Sequence, residues 1–141
     1  MLTSACKDAI RAIVWLAVQP TGQYYRISQI ASALDLPFPF LSKTFQKLVK
    51  AGIVISHRGA AGGVLLAMPA QELSLITIVE AVDGTRFFDE CVLGIGSCES
   101  ETPCALHAQW DVWREEMESM LGAMRVSELV DDVELRKIKR L

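Results

Sequence analysis

Between Ser28 and Gly52 the chain carries two short stretches of helical apolar spacing, divided by Pro37 and Pro39. Ile30, Ala31 and Leu34 form the inward line of the first, with Ser28 placed to cap it. Leu41, Phe45 and Leu48 form that of the second, about 39–51, which Gly52 stops. The outward face of the second shows Ser42, Lys43, Gln46, Lys47 and Lys50, all hydrogen-bond donors and none acidic. Two short helices of this kind meet the requirement of a helix-turn-helix, whose second helix enters a major groove about 12 Å wide. Gln46 and Ser42 then stand near base edges, and the lysines meet phosphates or guanine. A generic three-helix core would give the same apolar spacing, so the flanking chain has to decide.

Upstream, residues 4–18 read as a helix with Ile10, Ile13, Val14 and Ala17 on one stripe, ended by Pro20 and Gly22. Tyr24 to Ile27 is a short extended segment. Downstream, Ile53 to Ser56 and Val64 to Ala67 read as strands around an irregular, glycine-rich run from His57 to Gly63. A hairpin behind a recognition helix is a wing, and His57, Arg58 and Gly59 at its tip suit a phosphate row or a minor groove. The glycines lack the Gly-Lys-Ser/Thr ending and following helix of a nucleotide loop. The net charge of -3 hides an asymmetry: residues 1–69 carry +5 and residues 70–141 carry -8. A basic front and an acidic back suit a chain that offers one face to a polyanion.

Ser74 to Ala81 reads as a further helix, with Thr77 and Glu80 marking an alternative start and Asp83-Gly84 ending it. Residues 85–103 have no period. From about Cys104 one long helix is predicted, about 20 residues and 30 Å, with Leu106, Trp110, Trp113, Met117, Leu121 and Met124 spaced by 4, 3, 4, 4 and 3. Burial against the first helix accounts for part of so apolar a stripe, and pairing with the same helix of a second copy for the rest. The fold class is thus mainly α with a small β wing. Residues 1–84 form a winged helix-turn-helix domain, 85–103 a cysteine-containing loop, and 104–141 a dimerisation helix and tail.

No apolar run reaches the roughly 18 residues of a membrane span, and Arg11 interrupts the longest, Ala9 to Val18. The chain reads as soluble and cytoplasmic, with no membrane partner. Its cysteines are therefore expected as thiols or metal ligands rather than disulfides. Three of the four fall in the aperiodic loop as Cys91-x6-Cys98-x5-Cys104, followed by His107 at Cys104-x2-His107. Cys104 and His107 can face one centre, so a metal is expected to organise the segment. Structural zinc generally uses shorter Cys-x2-4-Cys knuckles, and the gaps also miss common ferredoxin spacings, so spacing does not choose between zinc and iron–sulfur. A zinc-stabilised interaction module without sensing is the alternative. Cys6, near Asp8, is a non-standard ligand, a redox-active thiol or neither. No grouping of acid, base and nucleophile suggests an enzyme.

These features resemble the iron–sulfur winged-helix transcription regulators of the IscR/NsrR type. The similarity runs from Leu2-Thr3 through Ile27 to Ala31 and Phe40 to Gly52, the wing's Arg58-Gly59-x-x-Gly62-Gly63, Ile78 to Gly84, the cysteine triad and Ser127 to Val130. The resemblance implies a homodimer that binds promoter DNA, acts as a repressor or activator, and senses redox state, nitric oxide or iron and cluster supply. It makes Cys91, Cys98 and Cys104 ligands of an iron–sulfur cluster. His107 matches the fourth ligand of the IscR-like branch, on a 2Fe–2S cluster, which is the first choice here. The NsrR-like branch takes a carboxylate from the partner's first helix on a 4Fe–4S cluster. That position falls on Lys7, with Asp8 one residue beyond as the alternative ligand. The first inter-cysteine gap is one residue longer than in that family's nearest branch.

Overall fold

The computed structural model of the chain describes residues 2–95, 98, 101 and 103–132, apart from the side chains of Phe87 and Asp132. Five positions of the cysteine loop (96, 97, 99, 100 and 102) and the tail from 133 onward, assigned above to the dimerisation segment, lie outside the described residues.

Helix α1 (Ser4–Ala17) opens where the Thr3 hydroxyl accepts the Cys6 N–H at 3.1 Å. Arg11, the break in its apolar run, is buried at 7% exposure. Its guanidinium pairs with Asp8 at 3.2 Å and donates to the Leu34 carbonyl at 3.1 Å. That carbonyl is the last of α2 (Ile27–Leu34), so the cation satisfies a helix C-terminus from the neighbouring helix. Helix α2 starts earlier than expected. Its cap is Arg26 rather than Ser28, because the Gln29 side chain reaches back to accept the Arg26 N–H at 2.8 Å. Asp35 closes it in the left-handed conformation, at φ 55°. Pro37 and Pro39 then set the start of α3 (Phe38–Lys50). Leu41, Phe45 and Leu48 of α3 enter one core with Ile13, Ile30 and Leu34.

The wing pairs β1 (Val54–His57) with β2 (Gly63–Leu66) antiparallel, Val54 opposite Leu66 and His57 opposite Gly63. His57 and Gly63 are therefore strand residues, and the irregular tip is only 58–62. Tyr25 adds a bridge outside Val64, exchanging backbone hydrogen bonds of 3.0 and 2.8 Å. Gly63 makes this possible: its φ is +149°, and a Cβ there would lie 2.4 Å from the Tyr25 carbonyl oxygen.

Helix α4 (Leu75–Asp83) packs Ile78 and Val79 into the same core and runs two residues beyond the expected end. Among its described residues the expected aperiodic segment contains a short helix, α5 (Arg86–Asp89). The long helix, α6 (His107–Ala123), begins three residues after Cys104 and has 17 residues, about 25 Å at the usual rise. Leu106 and Met124 are therefore its flanking residues. Beyond it Ser74 and Arg125 form a bridge, and Val126, fully buried, opens α7 (Val126–Asp132) against α1. No described helix is long and apolar enough to cross a membrane.

Candidate functional site

The polar face of α3 looks outward, as its helical spacing suggests. Lys43, Gln46 and Lys50 are exposed on α3, Ser42 is half-buried, and no acid stands among them. Lys47 differs: its ammonium donates to the Val82 carbonyl in the last turn of α4, at 2.9 Å. There it satisfies a C-terminal carbonyl and complements the helix dipole. Phe38 and Phe40, which sequence spacing placed no role on, are exposed at 49% and 71%. The wing tip is held from the other side by Arg26, which donates to the Ala60 carbonyl at 3.0 Å. His57 lies 5.4 Å from the Tyr24 ring, and Arg58 and Gly59 are exposed. Arg26, Ser28, Phe38 and the wing strands enclose a cleft of about 320 Å³ between the helix-turn-helix and the hairpin. Arg26, a cation at the start of the first motif helix, joins the helix-turn-helix to the wing.

The apolar stripe of α6 divides. Leu121 is buried in the chain's own core, and Met117 and Met124 pack against it. Trp110 is half-buried, stacks on Trp113 at 5.7 Å and donates its indole N–H to the Glu90 carbonyl at 3.0 Å. Leu106, Trp113 and Met120 remain exposed at 44, 51 and 57%, with Val112 beside them. Those three are spaced by seven, the repeat that keeps side chains on one seam between paired helices.

The cysteine loop has its own construction. Gly94, at φ +68°, closes a turn in which its N–H donates to the Cys91 carbonyl at 2.9 Å. In that turn the Leu93 and Ile95 N–H groups lie close enough to the Cys91 sulfur to favour its thiolate. The Leu93 N–H is the main cause holding the Cys91 thiol below its ordinary range, against the opposing effect of desolvation; Ile95, Cys104 and Cys98 add to it. Cys98, 9% exposed, is pushed up chiefly by desolvation. The Arg114 cation opposes that shift, while Cys91 and Cys104 reinforce it. Cys91 thus lies close to both Cys98 and Cys104. Among the described residues, however, no three His, Cys, Asp or Glu side chains stand together tightly enough for a single metal ion. His107 opens α6 with its N–H on the Cys104 carbonyl at 3.0 Å, and no such grouping includes its ring. Asp8 is engaged with Arg11.

Sequence spacing did not reveal Arg114. Its side chain, 12% exposed, pairs with Asp111 and donates to the Phe88 carbonyl. Cys98 is tied nearby, its N–H on the Asp89 carbonyl at 3.2 Å. Cys6 belongs elsewhere. It is fully buried, and desolvation first, then the charge and hydrogen bond of Asp83, push its thiol up to about 12. The same carboxylate accepts the Thr3 N–H at 3.0 Å and the Thr3 hydroxyl. Cys6 is thus a protonated donor fastening α1 to α4.

Residues 2–132 match the family profile described as Rrf2, iron-dependent transcriptional regulator. A Haemophilus influenzae protein described as an HTH-type transcriptional regulator is 30% identical over 139 residues, covering 99% of this chain and 90% of its own. The HTH-type transcriptional regulator IscR of Vibrio vulnificus is also 30% identical, over 97% of this chain and 81% of its own. Among solved structures, CymR, the global cysteine regulator of B. subtilis, superposes with a TM-score of 0.77 at 20% identity, over 95% and 98% of the two chains. IscR of T. potens gives 0.75 at 20% identity, over 97% and 90%. At such identity these two structures establish the fold. The family match establishes more, a DNA-binding regulator rather than an enzyme, with duplex DNA and a second copy of the chain as partners. The chain belongs to the Rrf2 family of winged-helix transcriptional regulators.

Proposed function

We propose that this chain is a homodimeric regulator whose loop holds an iron–sulfur cluster and whose promoter affinity changes with the state of that cluster. The observation that carries the proposal is the gathering of Cys91, Cys98 and Cys104 close enough to influence one another, in a chain whose family profile is that of an iron-dependent regulator. Backbone donors such as the Leu93 and Ile95 N–H groups near Cys91 favour a metal-bound thiolate and tune the group it holds. The donor set is soft and suits iron–sulfur chemistry. When bound, the cluster would supply a one-electron or nitric-oxide-reactive centre; the chain supplies the ligands and their surroundings.

His107 is the proposed fourth ligand, on a 2Fe–2S cluster, with 4Fe–4S the alternative. It lies one turn from Cys104 in the same chain, whereas Asp8 would have to leave Arg11 and reach another subunit. Residues 1–84 are the DNA-binding part, 85–103 the cluster loop and 104–141 the pairing segment. Ser42 and Gln46 are assigned to base edges, and Lys43, Lys50, His57, Arg58 and Gly59 to the backbone. Lys47 joins them by exchanging its α4 carbonyl for a phosphate. The ultraviolet–visible spectrum of anaerobically purified protein, with iron and sulfide assays, tests the reading. Charge-transfer bands that bleach or shift in His107→Ala and persist in Asp8→Ala are expected. A colourless zinc protein contradicts it.

A further inference from the structure

Helix α6 is acidic, with Asp111, Glu115, Glu116 and Glu118 against one arginine. A lone arginine on such a helix would ordinarily lie across its surface, paired with the neighbouring carboxylates. Arg114 keeps one such pair, with Asp111, but turns inward to 12% exposure and also donates to the Phe88 carbonyl in α5. The adjacent carbonyl, that of Asp89, accepts the Cys98 N–H at 3.2 Å. Its counter-ion is asymmetric: Asp111 is 44% exposed, so water screens the carboxylate far more than the guanidinium. The buried end of the pair therefore presents net positive charge to the cysteine loop. Its Nε is buried with no hydrogen-bond partner among the described residues, leaving a donor of that cation unneutralised.

We propose that Arg114 is a positioning residue for the cysteine centre, compensating the negative charge that a thiolate-ligated cluster places in the loop. The inference rests on the iron–sulfur reading above. Thiolate ligands bring more negative charge than an oxidised cluster core carries positive, and reduction adds another electron. A nearby buried cation favours the reduced state more than the oxidised one and so raises the potential. The cation's influence on Cys98 has this same sign.

The test compares Arg114→Gln, which keeps a side-chain N–H for the Phe88 carbonyl without the charge, with Arg114→Lys, which keeps the charge. Midpoint potentials are measured by anaerobic spectroelectrochemical titration at matched iron and sulfide content. Arg114→Gln should favour the oxidised cluster about tenfold, a downward shift of about 59 mV for one electron, and Arg114→Lys should titrate near wild type. A Gln variant titrating with wild type overturns the proposal, leaving Arg114 a prop for the loop. Should Arg114→Gln fail to load, Asp111→Asn provides the second measurement: removing the solvated counter-charge should raise the potential, and an unmoved potential overturns the proposal. Wild-type protein that takes up no iron and sulfide removes this inference together with the reading beneath it. That outcome is distinct from a loaded wild type whose Gln variant is unchanged.

Discussion

Cys6 and Cys91 are chemically opposite thiols of one chain. Burial and Asp83 keep Cys6 protonated, while backbone N–H groups favour the thiolate of Cys91. Brief alkylation of native, metal-free protein near pH 8 should label Cys91 and spare Cys6, read by peptide mass spectrometry. Equal labelling would remove the structural role assigned to Cys6. That role also has a pH signature. An unfolded thiol titrates near 9.0 and the folded Cys6 near 12, so the unfolded chain loses its proton first. The stabilisation is present below pH 9 and fades as pH rises towards 12. Cys6→Ala should show a shallower alkaline loss of stability than wild type, and parallel curves would contradict this. Gly63 is decisive for another reason. An alanine Cβ would meet the Tyr25 carbonyl at 2.4 Å in a backbone conformation side chains rarely adopt. Gly63→Ala should destabilise by about 2 kcal/mol or more, seen as a fall in Tm. A Tm equal to wild type would mean that the Tyr25 bridge does not constrain the wing.

Among the elements, α3 was legible because its burial line and its polar face both follow the helical period. The structure keeps Leu41, Phe45 and Leu48 inside and Lys43, Gln46 and Lys50 outside. The tie from Lys47 to Val82 was not legible, since nothing local marks a carbonyl 35 residues away. Replacing Lys47 therefore disturbs α4 as well as any phosphate contact. Lys43→Ala and Lys50→Ala are cleaner: each should weaken all duplexes alike and lower the salt slope by about 1. Gln46→Ala should instead change the preference among operator variants. Variants of Lys43 and Lys50 with wild-type salt dependence would remove α3 from the interface. Helix α6 shows the limit of periodicity. A single stripe serves two surfaces, because Leu121 meets α4 and its core while Leu106, Trp113 and Met120 look outward. Trp113→Asp should give folded monomers by sedimentation. Met117→Asp should instead unfold the chain, a charge entering the apolar side costing several kcal/mol. A dimeric, folded Trp113→Asp would place the pairing surface elsewhere.

At the scale of the molecule, the sequence's charge division maps onto its architecture. The basic half makes α1 to α3 and the wing, and the acidic half makes the cysteine loop and α6. These halves meet at α4. Val82 accepts Lys47 of the recognition helix, Asp83 accepts Thr3, and two residues past Gly84 the chain enters α5, whose carbonyls meet Arg114 and Cys98. The clustering of Cys91, Cys98 and Cys104 was legible in the sequence, while their spacing did not choose the group they would hold. Arg114 and the linking carbonyls depended on long-range contacts that no local pattern encodes. On the proposed reading, this connection is the route by which DNA affinity would depend on what the thiols hold. The most direct measurement is duplex affinity for one preparation before and after cluster removal, under anaerobic conditions at fixed salt, using a site selected by the protein from random duplexes. The account predicts a change of about tenfold or more, a coupling of about 1.4 kcal/mol, tracking the visible absorption as it is lost and restored. Identical affinity with and without the cluster would contradict it.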